Sequence, residues 1–267
     1  MFLVTEDSKR TLVGLEAFVR GMERDDNKIT PIPPMDLLKR ASINNTSPTI
    51  DLRVLEESCR LLAHLREEEI PVPEDFEINV NFTAQTLARN DLPQKISKIL
   101  NDYSVLPLQI GIEAIEDVFE PEDLETISRN IRELSAKGHN VPIDDFDTGS
   151  SNVDRIKLFT GLVVKPKKVK VKIDGSLTEK LEKSGDINLL PRECLENTNL
   201  VLEWATEKIF HITSKLRNAG FNGQITLQSN VFGEAVDASK IVSLIKKSFT
   251  PTLHKKPTRT VEHELVA

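Results

Sequence analysis

"KVKVKI", residues 168–173, sets a lysine at every second position with an apolar, β-branched residue after each. Alternation of period two is what an extended strand produces and a helix does not. "EINVNF", residues 77–82, repeats the pattern with Glu77, Asn79 and Asn81 as its polar members. Outward from these two segments the same phrase recurs along the chain: a short apolar or alternating run ends in a polar residue, and a helix-like stretch follows. Seven segments fit it. They are "TLVGLE" ending at Glu16, "INVN" ending at Asn81, "LQIGIE" ending at Glu113, "VPIDD" ending at Asp144 and Asp145, "VKVKID" around Lys172, "LVLE" ending at Glu203 and "ITLQ" ending at Gln228.

Between them lie helix candidates with apolar residues three and four apart, at 51–66, 92–101, 121–137, 151–160, 205–219 and 238–248. The third is bounded by Pro121, by Glu122 and Asp123 in its first turn, by Lys137 in its last and by Gly138 as its stop. Strands and helices in this alternation imply parallel strands joined by crossover helices. In a barrel built that way the carboxyl ends of the strands share one face, and such enzymes carry their sites there.

That convergence gives the strand ends a chemistry. Asp144 and Asp145 alone read as a turn that caps the next helix, or as half of a cation site. Gathered with Glu16, Asn81, Glu113, Glu203 and Gln228 around one mouth, unpaired carboxylates are costly without cations. Oxygen ligands suit Mg²⁺ or Mn²⁺ in preference to zinc. The five histidines show no metal-ligand spacing, and Trp204 and Tyr103 read as packing or half-buried surface.

Composition sets outer bounds. The 267 residues are 39% hydrophobic, enough for one sizeable core. A net charge of −7 with a pI near 5.4 argues against general nucleic-acid binding. Cys59 and Cys194 are the only cysteines and suggest neither a disulfide framework nor a thiolate metal site, which fits a reducing cytoplasm. A cationic leader and an apolar run of membrane-spanning length are both absent, so no membrane association is expected.

With these residues in hand, the chain resembles the EAL domains, bacterial phosphodiesterases that open cyclic di-GMP. "GLEAFVR" is similar to the motif that names the family, with Phe18 in place of its leucine. "VNFTAQTL" resembles its Asn-Leu-Ser segment, "IEAIE" its Glu-x-x-Glu segment, "DDFDTGSS" its Asp-Asp-Phe-Gly-Thr-Gly loop, and "KID" is unaltered. "LQSNVFGEAVDASKIVSLI" matches the spacing of its closing strand and helix. The resemblance implies a modified TIM barrel over residues 1–249, followed by a poorly ordered tail over 250–267. It implies two ions of Mg²⁺ or Mn²⁺, with Glu16, Asn81, Glu113 and Asp144 as ligands of the first and Asp145 serving the second. Lys172 would hold the water or a phosphate oxygen, Asp174 would help to fix that region, Glu116 would anchor the loop after Asp145, and Arg20 would contact the substrate. Glu203 and Gln228 would complete the site. Glu16 and Lys172 are expected to face the mouth and not the core.

Several positions depart from the family pattern. Met1, Phe2 and Leu3 stand where it has Tyr-Gln-Pro; Asp147 replaces a glycine, Ser150 an aromatic, and Thr206 a second acid after Glu203. If the glycine's place needs a positive φ, Asp147 takes it at some cost. Residues 200–219 have a competing reading as one helix, on a stripe of Val201, Ala205, Ile209, Ile212 and Leu216. "LFTGLVVKPKK" reads as an insertion whose Lys165, Lys167 and Lys168 form a solvated charge run or an anion-attracting loop. Two functions follow. One is a metal-dependent phosphodiesterase acting on cyclic di-GMP. The other is a degenerate domain that binds the nucleotide or a protein without turnover. A homodimer or a sensory or regulatory protein partner is compatible with either.

Overall fold

A computed structural model describes residues 2–4, 10–25, 28–74, 76–114, 122–147, 150–164, 168–229, 236 and 238–249. Glu116, Pro121, Lys165, Lys167 and the tail at 250–267 lie outside the described residues. The chain opens with β1 (Phe2–Val4), β2 (Arg10–Leu12) and β3 (Gly14–Ala17), then a hairpin of β4 (Gly21–Asp25) and β5 (Lys28–Ile32), then α1 (Pro34–Ile43) and α2 (Ser47–Glu67). The alternation follows: β6 (Glu77–Phe82), α3 (Ala84–Leu87), α4 (Leu92–Asp102), β7 (Ile110–Ala114), α5 (Leu124–Lys137), β8 (Ile143–Phe146) and α6 (Ser150–Leu162). It continues through β9 (Val169–Ile173), α7 (Gly175–Ser184), α8 (Arg192–Leu195), β10 (Thr198–Glu203), α9 (Ile209–Asn218), β11 (Ile225–Gln228) and α10 (Ala238–Phe249).

Nine strands form one sheet in the order β2-β1-β11-β10-β9-β8-β7-β6-β3. From β11 to β3 every pairing is parallel, while β1 runs antiparallel to both β11 and β2. The two edges, β2 and β3, are consecutive in the chain and separated by Val13 alone. The backbone therefore passes directly from one edge of the sheet to the other and curls it into a modified TIM barrel. The expected segment "TLVGLE" accordingly splits into the end of β2 and most of β3, because it must serve both edges.

The alternation of the strands decides what fills the barrel. Ile78, Val80, Phe82, Ile110, Ile112, Val171, Ile173, Leu200, Leu202, Ile225 and Leu227 are buried in the apolar layer shared with the helices. Their neighbours point the other way and meet across the lumen: Lys170 on β9 reaches Glu77 on β6 at 2.8 Å, although β7 and β8 lie between those strands. TIM barrels are usually filled by branched apolar layers. Here the lumen is mostly polar, holding Glu77, Asn79, Asn81, Glu113, Lys170, Lys172 and Gln228.

Helix boundaries follow local chemistry. Helix α5 ends at Gly138, whose φ of 113° only glycine takes without cost, but it begins at Leu124 with Asp123 as its N-cap, three residues later than Pro121 predicts. Residues 200–219 are not one helix. Val201 and its neighbours pair with β9 and β11, and only Ile209, Ile212 and Leu216 of the stripe lie on the buried face of α9. Much of the apparent insertion is the last turn of α6, and Lys168 donates to Asn222 Oδ1 at 2.7 Å. Cys59 and Cys194 are buried and free, on α2 and α8. Among the described residues no helix is long and apolar enough to cross a membrane.

One buried network holds the end of β6 in place. Asp51 on α2 accepts three hydrogen bonds at one carboxylate oxygen, from Thr83 N (2.9 Å), Thr83 Oγ1 (3.0 Å) and Thr86 Oγ1 (2.6 Å). Thr83 follows β6, two residues beyond Asn81, so the anchor sets where that amide sits. Asp51→Ala leaves a buried N–H and two hydroxyls without this acceptor and is expected to cost about 3 kcal/mol. The drop is read from the urea midpoint at unchanged m; a loss below about 1 kcal/mol would show that β6 does not depend on this anchor.

Candidate active site at the barrel mouth

Lys172 stands at the centre of the site. Its Nζ lies 2.6 Å from Asp144 Oδ1, 3.0 Å from Glu113 Oε2, 3.1 Å from Glu203 Oε1 and 3.2 Å from Glu16 Oε2. These carboxylates come from β8, β7, β10 and β3, so parallel strands deliver them from around the ring, as the positions of their segments in the sequence imply. Lys172 is 1% exposed. Its side chain points into the lumen and away from the apolar layer shared with the helices, but it is buried there, and its removal would leave four carboxylates uncompensated. Glu16 is only slightly more open, with 6% of its side chain accessible.

Amides complete the cluster. Asn81 Nδ2 donates to Glu16 Oε1 at 2.9 Å; Gln228 Nε2 donates to Glu16 Oε2 at 2.5 Å and, more weakly, to Glu203 Oε1 at 3.4 Å. An ammonium has three protons to give, and four carboxylates compete for them. Asp144 Oδ1 is close enough for an ion pair yet receives no hydrogen bond of acceptable direction. Glu113 Oε1, Asn81 Oδ1 and Gln228 Oε1 are likewise buried without a hydrogen-bond partner. Each of these orphans is an oxygen acceptor. Acceptor excess of this kind fits a hard divalent cation, and Asp144, Asp145 and Glu203 can place one carboxylate oxygen each within 4.8 Å of one another.

The bulge in β8 explains how two adjacent aspartates share this mouth. Ile143 and Phe146 are both buried, and three steps along β8 oppose two along β9, from Val171 to Ile173. The extra residue is absorbed at Asp145, whose φ is 48°. Among the described residues of this loop the left-handed position is thus Asp145. Asp147 is not among the described residues with positive φ, so the strain proposed for it does not arise.

Other predicted residues stand at varying removes. Asp174 caps α7, accepting from Ser176 N at 2.9 Å and from the Ser176 hydroxyl. Arg20 is exposed beyond β3, bonded to Val19 O at 2.8 Å with its guanidinium 5.6 Å from the Phe18 ring centre. Thr206, where a second acid was expected, is gripped by Glu182 of α7, which accepts from its N–H (2.7 Å) and its hydroxyl (2.9 Å). Trp204 reads from the sequence as packing or half-buried surface. Instead it is 68% exposed, directly after Glu203, and only the strand reading of 198–203 could have placed it at the mouth.

The EAL domain family model matches residues 4–190, well over half of the chain. The chain belongs to the EAL domain family. Among relatives of this EAL domain, the oxygen sensor protein DosP of Escherichia coli is 30% identical over 170 residues, covering 63% of this chain and 20% of DosP. The probable cyclic di-GMP phosphodiesterase PdeB of E. coli is 26% identical over 148 residues, covering 55% of this chain and 27% of PdeB. The EAL domain thus matches about a fifth to a quarter of the length of these relatives. A solved structure described as the PaMucR phosphodiesterase in complex with c-di-GMP superposes with a TM-score of 0.67 at 22% identity, over 90% of this chain and 91% of that one. At that identity the likeness establishes the barrel fold.

Proton balance within the EAL domain reflects the crowding. Burial pushes the Glu113 carboxyl well up, Lys172 pulling against it and Glu16 and Asp144 adding to it. Glu203 is pushed up to about 7, by burial first and then by Asp144 and Glu16, against the pull of Lys172. Glu16 goes the other way: burial would raise it, but the Lys172 charge and the hydrogen bonds from Asn81, Gln228 and Lys172 hold it below its usual value. Burial works against the charge on Lys172, and Glu113, Glu16, Asp144 and Glu203 together outweigh it and push its pKa well up.

These shifts predict a stability profile. A carboxyl whose folded pKa lies above its unfolded value binds more protons when folded, so its contribution is complete below about 4.5 and is lost as pH rises through about 7. In metal-free buffer the domain is expected to lose on the order of 3 kcal/mol from the Glu203 carboxyl between pH 5 and 8. Urea melts at each pH check it, with Glu203→Gln flattening the profile. A wild-type profile that rises over that interval would contradict the assignment.

Proposed function

We propose that this EAL domain is a divalent-metal-dependent phosphodiesterase that opens cyclic di-GMP to the linear dinucleotide. The observation that carries the reading is the excess of buried oxygen acceptors around Lys172: four carboxylates, two amides and one ammonium, with orphaned oxygens at Asp144, Glu113, Asn81 and Gln228. Glu16, Asn81, Glu113 and Asp144 are suited to hold one ion of Mg²⁺ or Mn²⁺, and Asp145 to serve a second. When bound, such ions neutralise a phosphodiester and lower the pKa of an attacking water.

The chain's own residues divide the remaining work. Lys172, held by ion pairs to four carboxylates, serves as a fixed positive charge for a phosphate oxygen. Glu203 lies at the open end of β10, beside Lys172 and within reach of the Asp144 and Asp145 carboxylates, and is placed to take the proton of the attacking water. Gln228 donates to both Glu16 and Glu203 and so orients the two. Asp174 fixes the start of α7 beside the site, Arg20 is free to swing toward a substrate phosphate, and Glu116 would anchor the loop beyond Asp145. Names of relatives support the substrate, since PdeB is termed a probable cyclic di-GMP phosphodiesterase.

A receptor without turnover is favoured by one observation. Glu182 holds Thr206 where the family pattern has a second acid, so no carboxylate is offered at that position. Turnover separates the two readings: chromatography of cyclic di-GMP incubated with the protein and Mn²⁺ is expected to show the linear dinucleotide, and an unchanged substrate peak with retained nucleotide binding would establish the receptor.

Metal binding has a cleaner probe than removal of Lys172. Asp145 is exposed and left-handed, and asparagine accepts that backbone readily. Asp145→Asn is expected to leave the melting temperature in chelator unchanged, while weakening Mn²⁺ affinity about tenfold, a loss of about 1.4 kcal/mol. Thermal melts across a Mn²⁺ titration measure both. The same Mn²⁺-induced shift in wild type and variant would remove Asp145 from the ligand set.

A further inference from the structure

We propose that Trp204 is a stacking platform for a purine base of the nucleotide held at the barrel mouth, a role that rests on the function proposed above. The indole belongs to the residue after Glu203, whose carboxylate lies 3.1 Å from Lys172 Nζ. Whatever phosphate is bound at the cluster therefore lies beside the strand end from which this ring projects.

Its backbone is unusual. Trp204 has a φ of 52°, a left-handed conformation that bulky residues seldom adopt and that concentrates where ligands are clamped. The ring is seated as well as exposed. A Cβ built on Gly175 would fall among Cγ, Cδ2 and Cε3 of the indole, so the ring rests on the first residue of α7, directly beyond β9. Only glycine leaves room for it. The indole thus bridges the ends of the strands that carry Lys172 and Glu203, supported from beneath and 68% open to solvent.

A large apolar ring held open beside the strand ends that carry the acids has no packing role to explain it, and inorganic phosphate or a metal gives it nothing to do. A nucleotide does. Its phosphate is attracted to the cation-loaded cluster, and its base has a π face that stacks on tryptophan without requiring a particular hydrogen-bond pattern. Substrates lacking a base would use the cluster alone, so Trp204 would make the site select for nucleotide diesters.

Trp204 is the only tryptophan in the chain, so intrinsic emission reports on this position alone. The probe is a phosphorothioate analogue of cyclic di-GMP, which resists hydrolysis, titrated with Mn²⁺ present; dimethyl phosphate is the baseless control. The analogue is expected to quench the emission and dimethyl phosphate to leave it unchanged. By equilibrium dialysis, Trp204→Ala should bind the analogue about tenfold more weakly, while Trp204→Phe retains most of the affinity. Gly175→Ala, which displaces the ring without deleting it, should weaken binding as well. For the natural substrate, Trp204→Ala should raise KM with kcat little changed. If wild type and Trp204→Ala bind the analogue equally by dialysis and the emission does not move, the platform is refuted while the phosphodiesterase reading stands. If wild type fails to bind the analogue at all, the proposed function itself falls, and the platform with it.

Discussion

Everything in this barrel is arranged around one ammonium facing four carboxylates. Ionised together, Glu16, Glu113, Asp144 and Glu203 outnumber Lys172 by three negative charges in a space that water barely enters. Such an imbalance can be relieved by protons, by metal ions or by moving apart, and the parallel sheet forbids the last. The raised pKa values of Glu113 and Glu203 are the protonic answer. The orphaned oxygens of Asp144, Asn81 and Gln228 mark where protons and amides do not suffice. Beneath the mouth, the pair of Lys170 and Glu77 is balanced one to one, so the unsatisfied charge is confined to the layer where chemistry can use it.

This distribution explains a contrast with ordinary barrels. Apolar side chains face the helices on nearly every strand, and the core of the protein is the layer between sheet and helices, not the lumen. The polar lumen contributes little to stability by itself, since buried ion pairs roughly offset their own desolvation. What it contributes is position. Val171 and Ile173 on either side of Lys172 are locked against helices, and the lysine has no freedom to leave.

The sequence disclosed the strand ends because alternation survives inspection residue by residue: "KVKVKI" and "EINVNF" could be strands and little else. It disclosed the acids for the same reason, each being the last polar residue of an apolar run. Helices α1, α3, α7 and α8 went unrecognised, since none carries a long apolar stripe and α3 and α8 have four residues each. The antiparallel entry through β1 is also silent in a three-residue strand, whose direction is a matter of pairing and not of composition. Nor could the burial of Lys172 be read directly. A lysine on an alternating strand reads as solvent-facing, and only the closure of the sheet turns that face inward. Asp145 and Trp204 were missed as left-handed positions because neither residue type announces φ; both follow from how the chain leaves its strand.

The hydrogen bond from Gln228 to Glu16 joins residues 212 apart in sequence. Beside it, β1 at the start of the chain pairs with β11 near its end. A nascent chain leaving the ribosome therefore holds Glu16 long before Lys172 and Gln228 exist, and the ring cannot shut until β11 has been made. Contacts so distant along the chain slow folding, and partly built sheets present open edges in the meantime. Until then the acids of the unfinished inner face stand open to water, and closure of the sheet is what buries them. The desolvation of those carboxylates is therefore met late, at the step that joins β1 to β11.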